Sequence, residues 1–224
     1  MASKRFRIID ADGHVMEPRG MWERYIAPEF SSRAPRVVRE ADGRTRISVA
    51  DRLCPRPDGA NRISPAMQDA FSTRVREHLG KYLEAHYSAE AQVSAMDEGG
   101  IEVSFLYPTQ GLYTAAIEDL DPALGIAICR AYNDWIPDFC AYAPERLRPV
   151  AMLVALHDPE AAVREVQRVA QRGFRGIFVR PNPIHGRNLD DPAYEPLWAE
   201  CERLGLSVGV HEGVLRHPAP NGRA

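Results

Sequence analysis

Asp12 and His14 stand two residues apart at the end of a short β-prone segment, and this spacing is the sharpest chemical feature of the chain. In an extended segment, residues two apart point to the same side. A carboxylate and an imidazole on one side can grip a single cation. His211, at the end of another apolar run, can supply a third ligand. One carboxylate and two imidazoles suit one divalent metal ion, Zn2+ first and Mn2+ second, with a position left open for water or substrate. Other reactive side chains follow apolar runs in the same way. Asp10 and Glu17 flank the first pair, Tyr107, Thr109 and Gln110 follow the second run, and His157 the third. Arg180, Asn182 and His185 follow the fourth, and Glu212 the fifth. Arg180 is placed to hold a substrate carboxylate through two bonds at once, and His157 to line the same pocket.

Each residue also has a plainer reading. Asp12-Gly13 can be a simple turn, and D-x-H alone is a weak motif. A single His211 is more often a hydrogen-bonded core histidine than a ligand. His157 can flank a helix cap, and Arg180 can pair with a structural acid. His78 and His86 fall on expected helix surface and carry no functional signal.

The elements that must position these groups are legible as an alternation. Continuous apolar runs near 6–9, 103–107, 150–156, 176–179 and 206–210 read as strands buried on both faces. Between them lie helical patterns: 65–98, Pro122 to Tyr142 with Pro137 inside it, Pro159 to Arg172, and Ala193 to Leu204. In the Pro159 helix, Ala162, Val163, Val166, Val169 and Ala170 form the apolar stripe, while Arg164, Glu165, Arg168 and Arg172 are expected to face water. Asp121-Pro122, Asp158-Pro159 and Asp191-Pro192 each put a capping acid before a first-turn proline. Gly173 and Gly205 sit where a left-handed residue ends a helix. Residues 36–64 read as an inserted hairpin and loop. The fold class is α/β, with a parallel sheet and right-handed crossovers. In such sheets ligands sit at the carboxyl ends of the strands, where the candidates cluster.

Composition narrows the function. The 224 residues carry a formal net charge of -3 and 45% hydrophobic residues. That balance argues against a nucleic-acid partner or a polybasic membrane role. No run approaches the roughly 20 apolar residues that span a bilayer. MASKRFRIID lacks an apolar core with a cleavage site, so a cytoplasmic location is expected. Cys54, Cys129, Cys140 and Cys201 form no C-x-x-C pair and are expected to be reduced thiols. No G-x-G-x-x-G or G-x-x-x-x-G-K-[ST] supports an open-sheet nucleotide-binding domain.

Six segments in order, IIDADGHVMEP, GIEVSFLYPT, RLRPVAMLVALHDPEAAV, GFRGIFVRPNP, DPAYEPLW and GLSVGVHEG, resemble the second amidohydrolase family, the branch of aminocarboxymuconate semialdehyde decarboxylase and the resorcylate-type decarboxylases. The resemblance runs from about Arg7 to Gly213. It implies a metal-dependent (β/α) TIM-type barrel with one divalent metal, and it puts the first-strand pair on Asp12 and His14 and the fifth-strand histidine on His211. Many relatives carry His-x-His where this chain has Asp-x-His. The family's later histidine and aspartate have no counterpart here. The expected architecture is therefore one amidohydrolase-type domain over 1–224, an incomplete barrel of about five of eight strands. The expected activity is hydrolysis or non-oxidative decarboxylation of a small carboxylate-bearing or aromatic substrate. A homo-oligomer is compatible with it. The alternative is a truncated, non-catalytic relative, stable only with a partner or as an oligomer.

Overall fold

The computed structural model describes residues 7–39, 41, 45–54, 77, 80–82, 84–114, 117 and 119–211. Among them the strands are β1 (Ile9–Val15), β2 (Arg36–Arg39), β3 (Thr45–Val49), β4 (Arg52–Leu53), β5 (Val103–Pro108), β6 (Leu147–Pro149), β7 (Ala151–Met152), β8 (Gly176–Val179) and β9 (Ser207–Val210). The helices include α1 (Met21–Tyr25), α2 (Ala89–Gly99), α3 (Gly111–Thr114), α4 (Pro122–Cys140), α5 (Pro159–Gln171) and α6 (Glu195–Leu204).

Two parallel ladders, β1-β5-β6 and β7-β8-β9, carry the strand-helix alternation. Between them the chain changes neighbours at Val150. Val150 N donates to Leu106 O (3.2 Å) on one side, and Leu153 N donates to Phe178 O (3.0 Å) on the other. The spatial order is therefore β1, β5, β6 with β7, β8, β9, and every pairing is parallel.

The expected strand at 150–156 needs correction. Pairing starts earlier, at Leu147, and ends at Met152, although Val150 to Leu156 are all buried. Burial, not strand pairing, explains the length of that apolar run. At its turning point the Asn133 side chain substitutes for a strand. Met152 N donates to Asn133 Oδ1 (2.7 Å), and Asn133 Nδ2 donates to Met152 O (3.1 Å). The first strand likewise continues past Ile9 to Val15, so Asp12 and His14 lie inside it and not in a following turn.

The helices follow their caps. Asp121, Asp158 and Asp191 accept from Ala123 N, Ala161 N and Ala193 N. Gly205, at φ 64°, ends α6 in the left-handed conformation that glycine adopts without strain. Pro137 lies within α4 without ending it. The Ala193 helix begins instead with a tight turn at Pro192–Tyr194 before α6. The long helix expected over 65–98 is interrupted: His86 and Tyr87 take left-handed φ values of 52° and 51°, and Ser88 then caps α2. Most of 65–83 lies outside the described residues.

Glu165 is the clearest reversal. Helical periodicity puts it on the water-facing side, yet it is 0% exposed. Asn133 and Arg130 on α4 and Arg168 on α5 all bond its carboxylate, which makes an interior position tolerable for a charge. All four cysteines are free and buried. The antiparallel sheet β2-β3-β4 stands apart from the parallel ladders. Residues 55–64 of the expected insert lie outside the described residues. Among the described residues, no helix is long and apolar enough to cross a membrane.

Candidate metal centre

The centre starts from an irregularity in β1. Its register against β5 steps from Asp10↔Ser104 to Gly13↔Leu106, so β1 carries one extra residue. Such a bulge re-aims the side chains beside it. Asp10 fastens the bulge, accepting from Asp12 N (3.0 Å) and Ser104 Oγ (3.3 Å). Gly13 is required by space. A Cβ there would lie 2.0 Å from Ser104 Oγ and 3.2 Å from the Phe105 carbonyl oxygen. Gly13→Ala is expected to cost about 1–3 kcal/mol of stability through this overpacking, and to loosen the grip on metal. Denaturant unfolding with parallel zinc titration checks this. Adding Ser104→Ala, which removes the nearest obstacle, should restore part of the loss.

The bulge brings three groups together from the two ends of the sheet. One donor atom each from Asp12, His14 and His211 lies within 4.8 Å of the others. His14 Nε2 is 3.1 Å from His211 Nε2, which is 3.3 Å from Asp12 Oδ1. On the far side of its ring, His14 Nδ1 meets Pro108 O at 2.9 Å. A carbonyl only accepts, so Nδ1 carries the proton, and in the neutral ring Nε2 then presents its lone pair. Two donors about 2.0–2.2 Å from one ion, at right to tetrahedral angles, sit roughly 2.8–3.6 Å apart. The 3.1 and 3.3 Å spacings about His211 and the donor chemistry of the three groups therefore suit a divalent cation.

The wall beside the centre is aromatic. The Tyr107 ring lies 5.4 Å from His211 and 5.3 Å from Phe178. Burial, and secondarily the Asp12 carboxylate, push the Tyr107 phenol above its ordinary value, so it remains a donor at neutral pH. Gly209 makes room for it, since a Cβ there would sit 2.8 Å from the Tyr107 hydroxyl.

Arg180 follows the last residue of β8, two positions after Phe178. His211 likewise follows the last residue of β9, and the register pairs those last residues, Val179 and Val210. Arg180 is 2% exposed and donates to Asn182 Oδ1 (3.0 Å). Burial lowers its guanidinium to about 10, which leaves it cationic at neutral pH. His157 is also buried, but its ring packs against His185 at 4.8 Å, and its Nδ1 lies near Gly125 of α4. The structure thus gathers Asp12, His14 and His211, carries Arg180 just beyond β8, and places His157 toward the helix layer. Phe178 and Gly209 escaped notice in the sequence. The available signal was their spacing, two residues before Arg180 and His211.

Parallel strands with a carboxylate and two imidazoles gathered near their carboxyl ends define an α/β protein with a candidate metal centre. The amidohydrolase family model matches residues 9–221, and the chain belongs to that family. Gamma-resorcylate decarboxylase of Rhizobium radiobacter is 33% identical over 138 residues, covering 58% of this chain and 40% of that enzyme. The chain thus matches well under two thirds of the length of its curated relatives. A crystal structure of an amidohydrolase from Mycobacterium avium subsp. paratuberculosis K-10 superposes with a TM-score of 0.72 at 27% identity, over 94% of this chain and 60% of that one. The 5-carboxyvanillate decarboxylase of Novosphingobium aromaticivorans DSM 12444, crystallised with manganese, shares the fold at a TM-score of 0.57 and 20% identity, over 94% and 52%.

Proposed function

We propose that the chain is a metal-dependent carboxy-lyase that removes carbon dioxide, without an oxidant, from a small aromatic carboxylate. Hydrolysis of a carboxylate-bearing substrate is the other chemistry the same centre allows. One observation carries the reading: the convergence of Asp12, His14 and His211, with Arg180 one position beyond β8 as His211 is one position beyond β9. The relationship to gamma-resorcylate decarboxylase favours the lyase. Asp12 Oδ1, His14 Nε2 and His211 Nε2 would hold the ion, zinc or manganese. When bound, it supplies a Lewis acid and a template for substrate oxygens.

The chain's own groups account for the rest. Arg180 grips the substrate carboxylate through paired N–H donors and fixes its plane. Phe178 and Tyr107 offer ring faces to an aromatic substrate, and the Tyr107 hydroxyl donates to an oxygen on it.

The test is turnover of hydroxylated benzoates by the full chain loaded with zinc or manganese, followed by release of carbon dioxide. Arg180→Met should lower kcat/KM about 10–100-fold, the loss expected for a hydrogen bond to a charged group worth roughly 1.5–3 kcal/mol. An unchanged kcat/KM in that variant, or hydrolysis in place of carbon dioxide release, would overturn the reading.

A second reading is favoured by the sheet edges. Ile9 and Val210 are 56% and 60% exposed. Among the described residues, β1 pairs only with β5 and β9 only with β8. Open apolar edges invite another strand. On this reading the chain acts only when a partner or a second copy covers them. Light scattering coupled to gel filtration decides it: an active, monodisperse monomer excludes this reading, and activity confined to an assembly supports it.

A further inference from the structure

Glu17 has no part in the chemistry above, yet its carboxylate is shut inside the protein three residues after His14, at 1% exposure. Burial pushes its carboxyl up, and surrounding backbone amides pull it back down. Oε2 accepts from Thr109 N (3.2 Å) and Gln110 N (2.8 Å), and Oε1 from Gly111 N (2.7 Å). Gln110 Nε2 returns a bond to the Glu17 carbonyl (3.1 Å). The first of these amides belongs to the Pro108–Thr109 peptide. The carbonyl of that same peptide is the group that His14 Nδ1 meets at 2.9 Å. A peptide unit is a rigid plane whose N–H and C=O point in opposite directions. Glu17 therefore holds one end of the plane, and His14 is held by the other.

Taking the metal reading above as its basis, we infer that Glu17 is the positioning residue of His14. Through the Pro108–Thr109 peptide it keeps the proton on Nδ1 and the Nε2 lone pair turned toward Asp12 and His211. Two physical effects transmit the influence. The carboxylate fixes the tilt of the peptide. It also draws on the Thr109 N–H, which makes the Pro108 oxygen a stronger acceptor, because linked hydrogen bonds polarise one another. Partners beyond the ligands act on metals in this way, by fixing the imidazole tautomer and raising its basicity.

The test combines ring 15N NMR of the metal-free full chain, with His14 assigned through His14→Gln, and zinc affinity from competition with a chromophoric chelator. The wild type should show His14 as a single Nδ1–H tautomer; a predominant Nε2–H form overturns the inference. Glu17→Gln keeps the shape and removes the charge. It should give a mixture of tautomers and bind zinc about 10–100-fold more weakly. A folded Glu17→Gln with wild-type tautomer and affinity overturns the inference, because a merely structural Glu17 would lower Tm and leave both readouts in place. Should that variant not fold, Glu17→Asp keeps the charge, withdraws the carboxylate from the Thr109 N–H and carries the same expectations. A wild-type chain that binds no zinc sinks the metal reading by itself, while the tautomers of the metal-free variants still decide the role of Glu17.

Discussion

Replacing Asp12 and His14 together by alanine should reduce bound metal from about one ion per chain to near zero by elemental analysis, with the fold retained. The fold should survive because Asp12 is an exposed side chain, at 68%, and the bulge is fastened by Asp10 and Ser104 instead. The metal should be lost because a single imidazole, His211, would remain of the three donors. A thermal readout sharpens the result. An ion that binds only the folded chain stabilises it by roughly 2.7 kcal/mol at a hundred times its Kd. Added zinc should therefore raise the Tm of the wild type and leave the double variant unmoved. Stoichiometric zinc in that variant would place the metal elsewhere.

Glu165→Ala should be the most damaging single change to stability, at about 3–5 kcal/mol, the range for breaking a buried charge cluster by removing one partner. Glu165 accepts from Arg130 Nε (2.9 Å), Asn133 Nδ2 (2.9 Å), Arg168 Nε (2.8 Å) and Arg168 Nη2 (2.7 Å). Its loss leaves Arg168, itself also tied to Asp134, without its buried counter-charge. It also frees the Asn133 amide that holds the backbone of Met152. The damage therefore reaches the sheet at the point where β6 gives way to β7. Arg130→Ala is the contrast. That side chain is 47% exposed, and its removal should cost about 1 kcal/mol or less. Urea unfolding of the two variants checks the difference; equal losses would show that the interior of the cluster does not dominate it.

The alternation of strands and helices could be read from the sequence because it rests on local rules. Apolar runs too short for helices, Asp-Pro caps and a terminal Gly205 are each a matter of a few adjacent residues. The candidate trio was legible for the same reason: D-x-H puts two donors on one side of a strand, and His211 ends an apolar run. What escaped were features set by distant partners. Glu165 follows the polar face of its helix by periodicity, and only the arrival of Arg130 and Asn133 from α4 makes its burial bearable. The break at His86 and Tyr87 needs two left-handed residues that no local motif announces. The extra residue in β1 is visible only against the register of β5. His157 looked like a strand-end residue because the apolar run before it outlasts its strand.

The change of neighbours at Val150 divides the ladder into two halves, and the centre draws on both: Asp12 and His14 come from one, and His211 from the other. An ion seated there would close a loop of 197 residues, acting as a cross-link between β1 and the end of β9. Closing a loop of that length removes more freedom from the unfolded chain than closing a short one, although the gain grows only with the logarithm of length. The same ion would resist any opening of the sheet along the seam. Stripping it with a chelator should therefore first speed amide hydrogen exchange where the halves meet, around Val150 and Leu153, before the interior of either half is affected.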